Sequence, residues 1–463
     1  MFLFLGKLPF QRWDEGRVAI NTYEMMERGN ILSLTFGGHP EFWNTKPTLL
    51  HWLQSASALL FGFSEFSLRL PSALAGLLAC FAVYSFVKSE LKKEWTAVLA
   101  AFVLVSFSGF IGTHSARTCE YDALLALFTT LAAFSFYRAV EYSTKSLYTF
   151  FFFLALAALT KGIAALMFGP IYLIWALWKR RVMVIIKSKS FYLGLLGFLA
   201  IVAVYYLGRE HVQPGYLEAV YQNELGGRFG ETMEEHSGSF FFYFVTLKNS
   251  IPLTSLLLLL VGIPLGLKSE DENTVKTTSY ATLFFFAFTF ILGAAGTKLD
   301  WYYTPVFPFV AILIAIGLKE MYNRVIVRPN LTGNKAIIIQ AILLIGFIAI
   351  PFGISIDRSI NPEFSHREDR IAGYLSEVLH DESATVDFDV LWDGYDAQHR
   401  IYVILLQDQG HTIRFASKES LALGKKYLVS QSHLHDFISE NYTFQREEIN
   451  EVVSFYKLQS HVE

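Results

Sequence analysis

The sequence predicts an all-α polytopic membrane protein with about eleven transmembrane helices, surface helices in its first external loop and a small C-terminal α/β extracytoplasmic domain. Three observations lead there. Of the 463 residues, 53% are hydrophobic and only 17% charged, whereas soluble domains carry about a quarter charged residues. The charges gather between apolar runs and in the C-terminal part of the chain. Two acidic pairs, Asp14 with Glu15 and Glu120 with Asp122, abut apolar runs; carboxylates at a bilayer boundary cost free energy and by default mark function. The net charge of −3 points to no class of partner, and nucleic acid is not an expected one. Cys80 and Cys119 are the only cysteines, so no disulfide framework is implied.

The opening MFLFLGKLPF is too short to span a bilayer and lacks a signal-peptide cleavage pattern. It reads as the end of a first transmembrane helix whose beginning is missing, with a short membrane-surface anchor as the alternative. Spanning segments are expected at 66–87, 95–113, 121–140, 191–208, 251–267, 279–297, 302–318 and 336–356. Residues 147–178 are too long for one helix across about 30 Å and divide at Lys161-Gly162 into two short spans.

Basic residues set the orientation. Alternate loops hold Lys88, Lys92 and Lys93; Arg138 and Lys145; Lys179 to Lys189; Lys268 and Lys276; and Lys319 to Lys335. Those loops are expected in the cytoplasm, and the opposite ones outside. Residues 47–62 are apolar but short and contain His51 and Gln54, so they read as an amphipathic surface helix. Residues 14–65 then form one external loop, and both acidic pairs lie on the same face of the membrane. From residue 357 the chain becomes charged, with short apolar runs: VDFDVLW, TIRFAS and KKYLVS read as strands, AQHRIYVILLQDQG and HLHDFISENY as helices. This divides the chain into a transmembrane domain, 1–356, and a soluble domain, 357–463.

The external loops carry acids and bases together: Asp14, Glu15, Arg17, His39 and Lys46; His114, Arg117, Glu120 and Asp122; Lys161; Arg228 and its acidic neighbours; Lys298, Asp300, Tyr302 and Tyr303. This set suits glycosyl transfer from a lipid phosphate. A carboxylate can take the acceptor's proton, Lys or Arg can stabilise the leaving phosphate, and a helix bundle can supply a groove for the lipid. Other readings compete for individual residues. Lys and Arg near helix ends commonly snorkel, Trp301, Tyr302 and Tyr303 suit an interfacial aromatic belt, and the histidines show no metal-binding spacing.

The motifs WDEGR (13–17), NTKPTLLHWL (44–53), SEFSLRLPSALAGLL (64–78), ARTCEYDALLALF (116–128), LTKG (159–162) and GTKLDWYYTPVFPFVAILIA (296–315) occur in this order. Together they resemble lipid-phosphate-sugar glycosyltransferases of the GT-C superfamily, notably the aminoarabinose lipid A transferases and, more distantly, protein mannosyltransferases. The resemblance covers roughly residues 10–320. It implies a polyprenyl-phosphate sugar donor, a lipid, glycan or protein acceptor and a site on the outer face of the inner membrane. It further implies Asp14 as base, Glu15 and Asp122 as its acidic companions, and Lys46, Arg228, Tyr303 and Arg69 at the donor phosphate. Glu120, Lys161, Lys298 and Tyr302 are additional candidates for substrate contact. Thr45 stands where some relatives carry a carboxylate, so the resemblance implies no definite metal site, and a divalent metal is left open. A transporter or flippase is the competing reading, but it calls for repeated halves and midplane charges. The sequence has no internal repeat, and its charges gather at one face.

Overall fold

The structure is a computed structural model that describes residues 1–227, 237–327, 331–361, 370–381 and 383–462. Helices dominate, and six of those described are long and apolar enough to cross a membrane: Glu65–Leu91, Asp122–Glu141, Thr144–Trp178, Lys189–Val212, Glu272–Ala294 and Asp300–Val327. The pair Phe242–Ser250 and Leu253–Leu267, bent by 119°, adds a seventh if counted as one span. Shorter apolar helices cover Leu49–Phe61, Glu94–Val105 and Gly333–Leu343.

The departures from the expected spans have local causes. The segment 95–113 stops being helical at Ser106, whose hydroxyl bonds back to the Val103 carbonyl at 2.7 Å, and a four-residue helix, Ser108–Ile111, follows. The bend before 253 falls at Pro252, which forces Ile251 into an extended conformation. The break in 147–178 falls at the expected place. Gly162 has φ 57°, the helix Leu147–Lys161 ends there, and a 3-10 turn, Gly162–Phe168, leads into Gly169–Trp178. Lys161 is thereby left at a helix end in the middle of an otherwise apolar segment.

Residues 14–65 form a compact layer on one end of the bundle. Asp14 and Glu15 open the helix Asp14–Arg28, where negative charge favours the exposed N–H groups. Gly29 closes it in the left-handed conformation, returning its N–H to Met25. A small hairpin, β1 (Thr35–Phe36) against β2 (His39–Pro40), follows. The helix Leu49–Phe61 has 13 residues, about 20 Å at 1.5 Å per residue, too short to span. Ser64 then begins the Glu65–Leu91 helix with a reciprocal capping box to Ser67.

The C-terminal part is an α/β unit. Strands β3 (Phe388–Leu391), β4 (Phe415–Ala416), β5 (Lys426–Val429), β6 (Tyr442–Glu448) and β7 (Ser454–His461) form one sheet in the order β4-β3-β5-β7-β6. Its β3 runs parallel to β4 and β5, whereas β7 is antiparallel to β5 and β6. The helices Ala397–Asp408 and Ser432–Asn441 match expectation; the helix Arg370–His380 and the β6–β7 hairpin were not expected.

Candidate active site

The two acidic pairs meet. Asp14, Glu120, Asp122, Lys46 and Lys161 line one cleft with Arg17, Trp43, Asn44, Trp301 and Tyr302. Beside it, sharing Lys46, Asp122, Lys161 and Tyr302, lies a groove whose apolar wall is Leu125, Ile163, Ala164, Met167, Phe288 and Leu292. A polar mouth thus opens onto an apolar groove.

Within the mouth, Lys161 Nζ donates to both carboxylate oxygens of Asp122 at 2.6 and 2.7 Å, with both side chains buried. The lysine also lies 4.8 Å from the centre of the Tyr302 ring. His114 Nδ1 is 2.6 Å from Glu120 Oε2, and the His114 ring stacks on Trp301 at 3.7 Å. Burial would lower the His114 pKa, but the Glu120 carboxylate outweighs it and raises the imidazole to about 9. Burial raises Glu120 to about 7 against the pull of His114.

Lys46 sits in a loop whose backbone is held from the far side. Arg209 Nη1 donates to the Lys46 carbonyl at 2.9 Å, the Tyr216 hydroxyl to the Thr45 carbonyl at 2.9 Å, and Gln213 Nε2 to the Glu41 carbonyl at 2.9 Å. The Thr48 N–H donates to the Tyr205 hydroxyl at 3.0 Å. Arg209 is fully buried, with its guanidinium 3.9 Å from the Tyr216 ring centre. Glu224 accepts from Thr45 Oγ1 at 3.1 Å and lines the groove.

Four expected site residues are held elsewhere. Glu15 is fully buried and faces Arg69, which donates to it through Nε at 2.8 Å and Nη2 at 2.9 Å. Burial would raise the Glu15 pKa, but Arg69 and the N–H groups of Gln11 and Cys119 keep it below the usual carboxylate value. Arg69 spends its remaining donors on the carbonyls of Leu5, Leu8 and Pro9, which leaves none for a phosphate. Glu15 and Arg69 therefore tie the chain start to the bundle instead of facing the cleft. Tyr303 is buried against Thr289 at 2.7 Å, and its neighbour Tyr302 faces the cleft instead. Lys298 donates to the carbonyls of Gly293 and Ala295, at the end of a helix. Arg228 lies outside the described residues.

One group fits a metal by donor type. The carboxylates of Asp14 and Glu120 and the imidazole of His114 bring ligand atoms within 4.8 Å of one another. Glu120 Oε1 is buried without a hydrogen-bond partner. Oxygen and imidazole donors suit a divalent cation such as zinc. Sequence reasoning named His114 only as one external histidine among several and missed Arg209, whose only signal is its position at the end of an apolar run. Their importance comes from neighbours distant in the chain.

In sequence and in fold the chain is similar to membrane glycosyltransferases. Residues 45–206 match the family model described as dolichyl-phosphate-mannose-protein mannosyltransferase. The chain is 28% identical over 336 residues to the undecaprenyl phosphate-alpha-4-amino-4-deoxy-L-arabinose arabinosyl transferase of Shewanella sediminis, covering 70% of this chain and 59% of that protein. It thus spans somewhat over half the length of that curated relative. In fold it is similar to ArnT from Cupriavidus metallidurans bound to undecaprenyl phosphate, with a TM-score of 0.72, 14% identity, and 98% of this chain and 95% of that one covered. It is also similar to the archaeal oligosaccharyltransferase AglB from Archaeoglobus fulgidus, with a TM-score of 0.56, 10% identity and 96% and 70% covered.

Proposed function

We propose that this chain is an inverting glycosyltransferase that moves a sugar from a polyprenyl phosphate, of the undecaprenyl type, to an acceptor hydroxyl on the outer face of the cytoplasmic membrane. The observation that carries the reading is the polar mouth with Asp14, Lys46 and the Asp122–Lys161 pair, opening onto an apolar groove. The groove takes the first prenyl units, and Lys46 and Lys161 take the phosphate. The acceptor oxygen attacks the anomeric carbon as the bond from that carbon to the phosphate oxygen breaks. Asp14 accepts the acceptor's proton. The electron pair leaves with the prenyl phosphate, whose growing charge the two lysines stabilise. Asp122 keeps Lys161 charged and aimed in a site that would otherwise penalise a buried cation. A divalent cation held by Asp14, His114 and Glu120 would add Lewis-acid stabilisation of the leaving phosphate oxygen.

The acceptor bearing that hydroxyl is a lipid, glycan or protein. The test is turnover of undecaprenyl-phosphate sugars by the purified protein, paired with mass spectrometry of lipid A, surface glycans and envelope proteins from cells with and without the gene. New masses confined to one acceptor class identify it; no sugar transfer to any of them overturns the reading.

A further inference from the structure

We propose that the C-terminal domain is part of the catalytic frame, with Tyr395 as a positioning residue that holds both Asp14 and the Lys46 loop. The contact begins at the backbone. A Cβ on Gly16, two residues after Asp14, would lie 2.6 Å from the Gln398 nitrogen and 2.8 Å from the Ala397 carbonyl carbon. The helix that opens with Asp14 therefore rests directly on the first turn of the Ala397–Asp408 helix, at a spacing only glycine allows.

Tyr395, just before that turn, reaches in two directions. Its ring stacks on Trp13 at 4.9 Å and an interplanar angle of 13°. Trp13 has φ 66° and ψ −108°, a conformation that a bulky residue holds only when its surroundings impose it. This strained residue directly precedes Asp14, so the stack fixes the direction in which Asp14 leaves the chain. The Tyr395 hydroxyl accepts from Arg17 Nε at 3.0 Å. Arg17 in turn pairs with Glu41 at 3.3 Å, and Glu41 Oε1 accepts the N–H groups of Trp43 and Asn44 at 2.7 and 3.1 Å. Those residues lead into Lys46. One tyrosine of the soluble domain is thus linked to the proposed base through Trp13, and to the proposed phosphate lysine through Arg17 and Glu41.

A second tie supports the same contact. The Tyr402 hydroxyl donates to Glu65 at 2.5 Å and accepts the Phe10 N–H at 2.8 Å, joining the domain to the chain on either side of the acidic pair.

The proposal rests on the glycosyltransferase reading for its kinetic arm but not for its binding arm. Tyr395→Phe removes one oxygen and keeps the stack. It should weaken binding of undecaprenyl phosphate about tenfold, as expected for a lost hydrogen bond to a charged group, and lower kcat less than Tyr395→Leu does, because the stack on Trp13 remains. The same substitution in an Arg17→Met background should have no further effect on that binding. Tyr395→Leu also removes the stack and should lower kcat by about ten- to a hundredfold, with no further loss when combined with Asp14→Asn. A purely structural role would give additive losses in both cycles and would track the melting temperature. Additive losses, or undecaprenyl phosphate binding unchanged by Tyr395→Phe, overturn the proposal. If Asp14→Asn keeps wild-type turnover, the base reading fails alone and the binding cycle with Arg17 decides the positioning role.

Discussion

The two acidic pairs look alike in sequence and divide their work differently in space. Asp14 and Glu15 are neighbours at the start of one helix, where successive side chains point about 100° apart. Asp14 faces the cleft, whereas Glu15 turns inward and is consumed by Arg69. Glu120 and Asp122 flank a helix start and both reach the cleft, but each is already matched to a cation, His114 and Lys161. One pair therefore separates into an acid that lines the cleft and an acid held in a buried ion pair. The other supplies two electrostatic partners. Adjacency in the chain is no guide to shared function when a helix begins between the residues concerned.

The largest expected effect sharpens the contrast within the first pair. Asp14→Asn should lower kcat by about 10²–10⁴-fold and leave both donor binding and the melting temperature near wild type. Steady-state kinetics with a hydroxyl acceptor decides it, and retained turnover removes Asp14 from the base role.

Glu15→Gln should do the opposite. It leaves Arg69 buried without its anion, a change that typically costs about 3–5 kcal/mol. Thermal melting in detergent should fall sharply, with kcat per folded molecule largely kept. A kcat loss without loss of stability would bring Glu15 back as a catalytic group.

The second pair is tested by Asp122→Leu, which strands Lys161 and should cost a similar about 3–5 kcal/mol as well as activity. Adding Lys161→Met restores a neutral, packed contact and should recover the melting temperature while turnover stays low. Activity recovered along with stability would make the pair merely structural.

The smallest effect is a pH dependence. His114 has its pKa raised to about 9, so its share of stability is complete below the ordinary histidine value of 6.5 and fades as pH rises through about 9. Glu120→Gln removes the partner that raises it and should move that alkaline loss of stability to lower pH. Melting curves from pH 6 to about 10 measure it; an unchanged alkaline limb would rule out the His114–Glu120 pair as its source.

Much of this molecule was legible in the linear order of its residues. Composition and the apolar runs determined a helical membrane protein. Pro252 and Gly162 lie in the sequence at the points where helices break. The shortness of the helix within 47–62 was legible in its length, and Asp14, Lys46, Asp122 and Lys161 stood out as charges beside apolar segments. These are local properties, set by period, length and backbone stereochemistry. Partner choice is not local. Whether Arg69 meets a phosphate or Glu15, whether Tyr302 or Tyr303 faces the cleft, and whether the C-terminal unit touches the Asp14–Arg28 helix depend on packing between segments from tens to hundreds of residues apart. A buried charge takes whichever counterion the fold brings within reach, and only the tertiary structure decides which one that is.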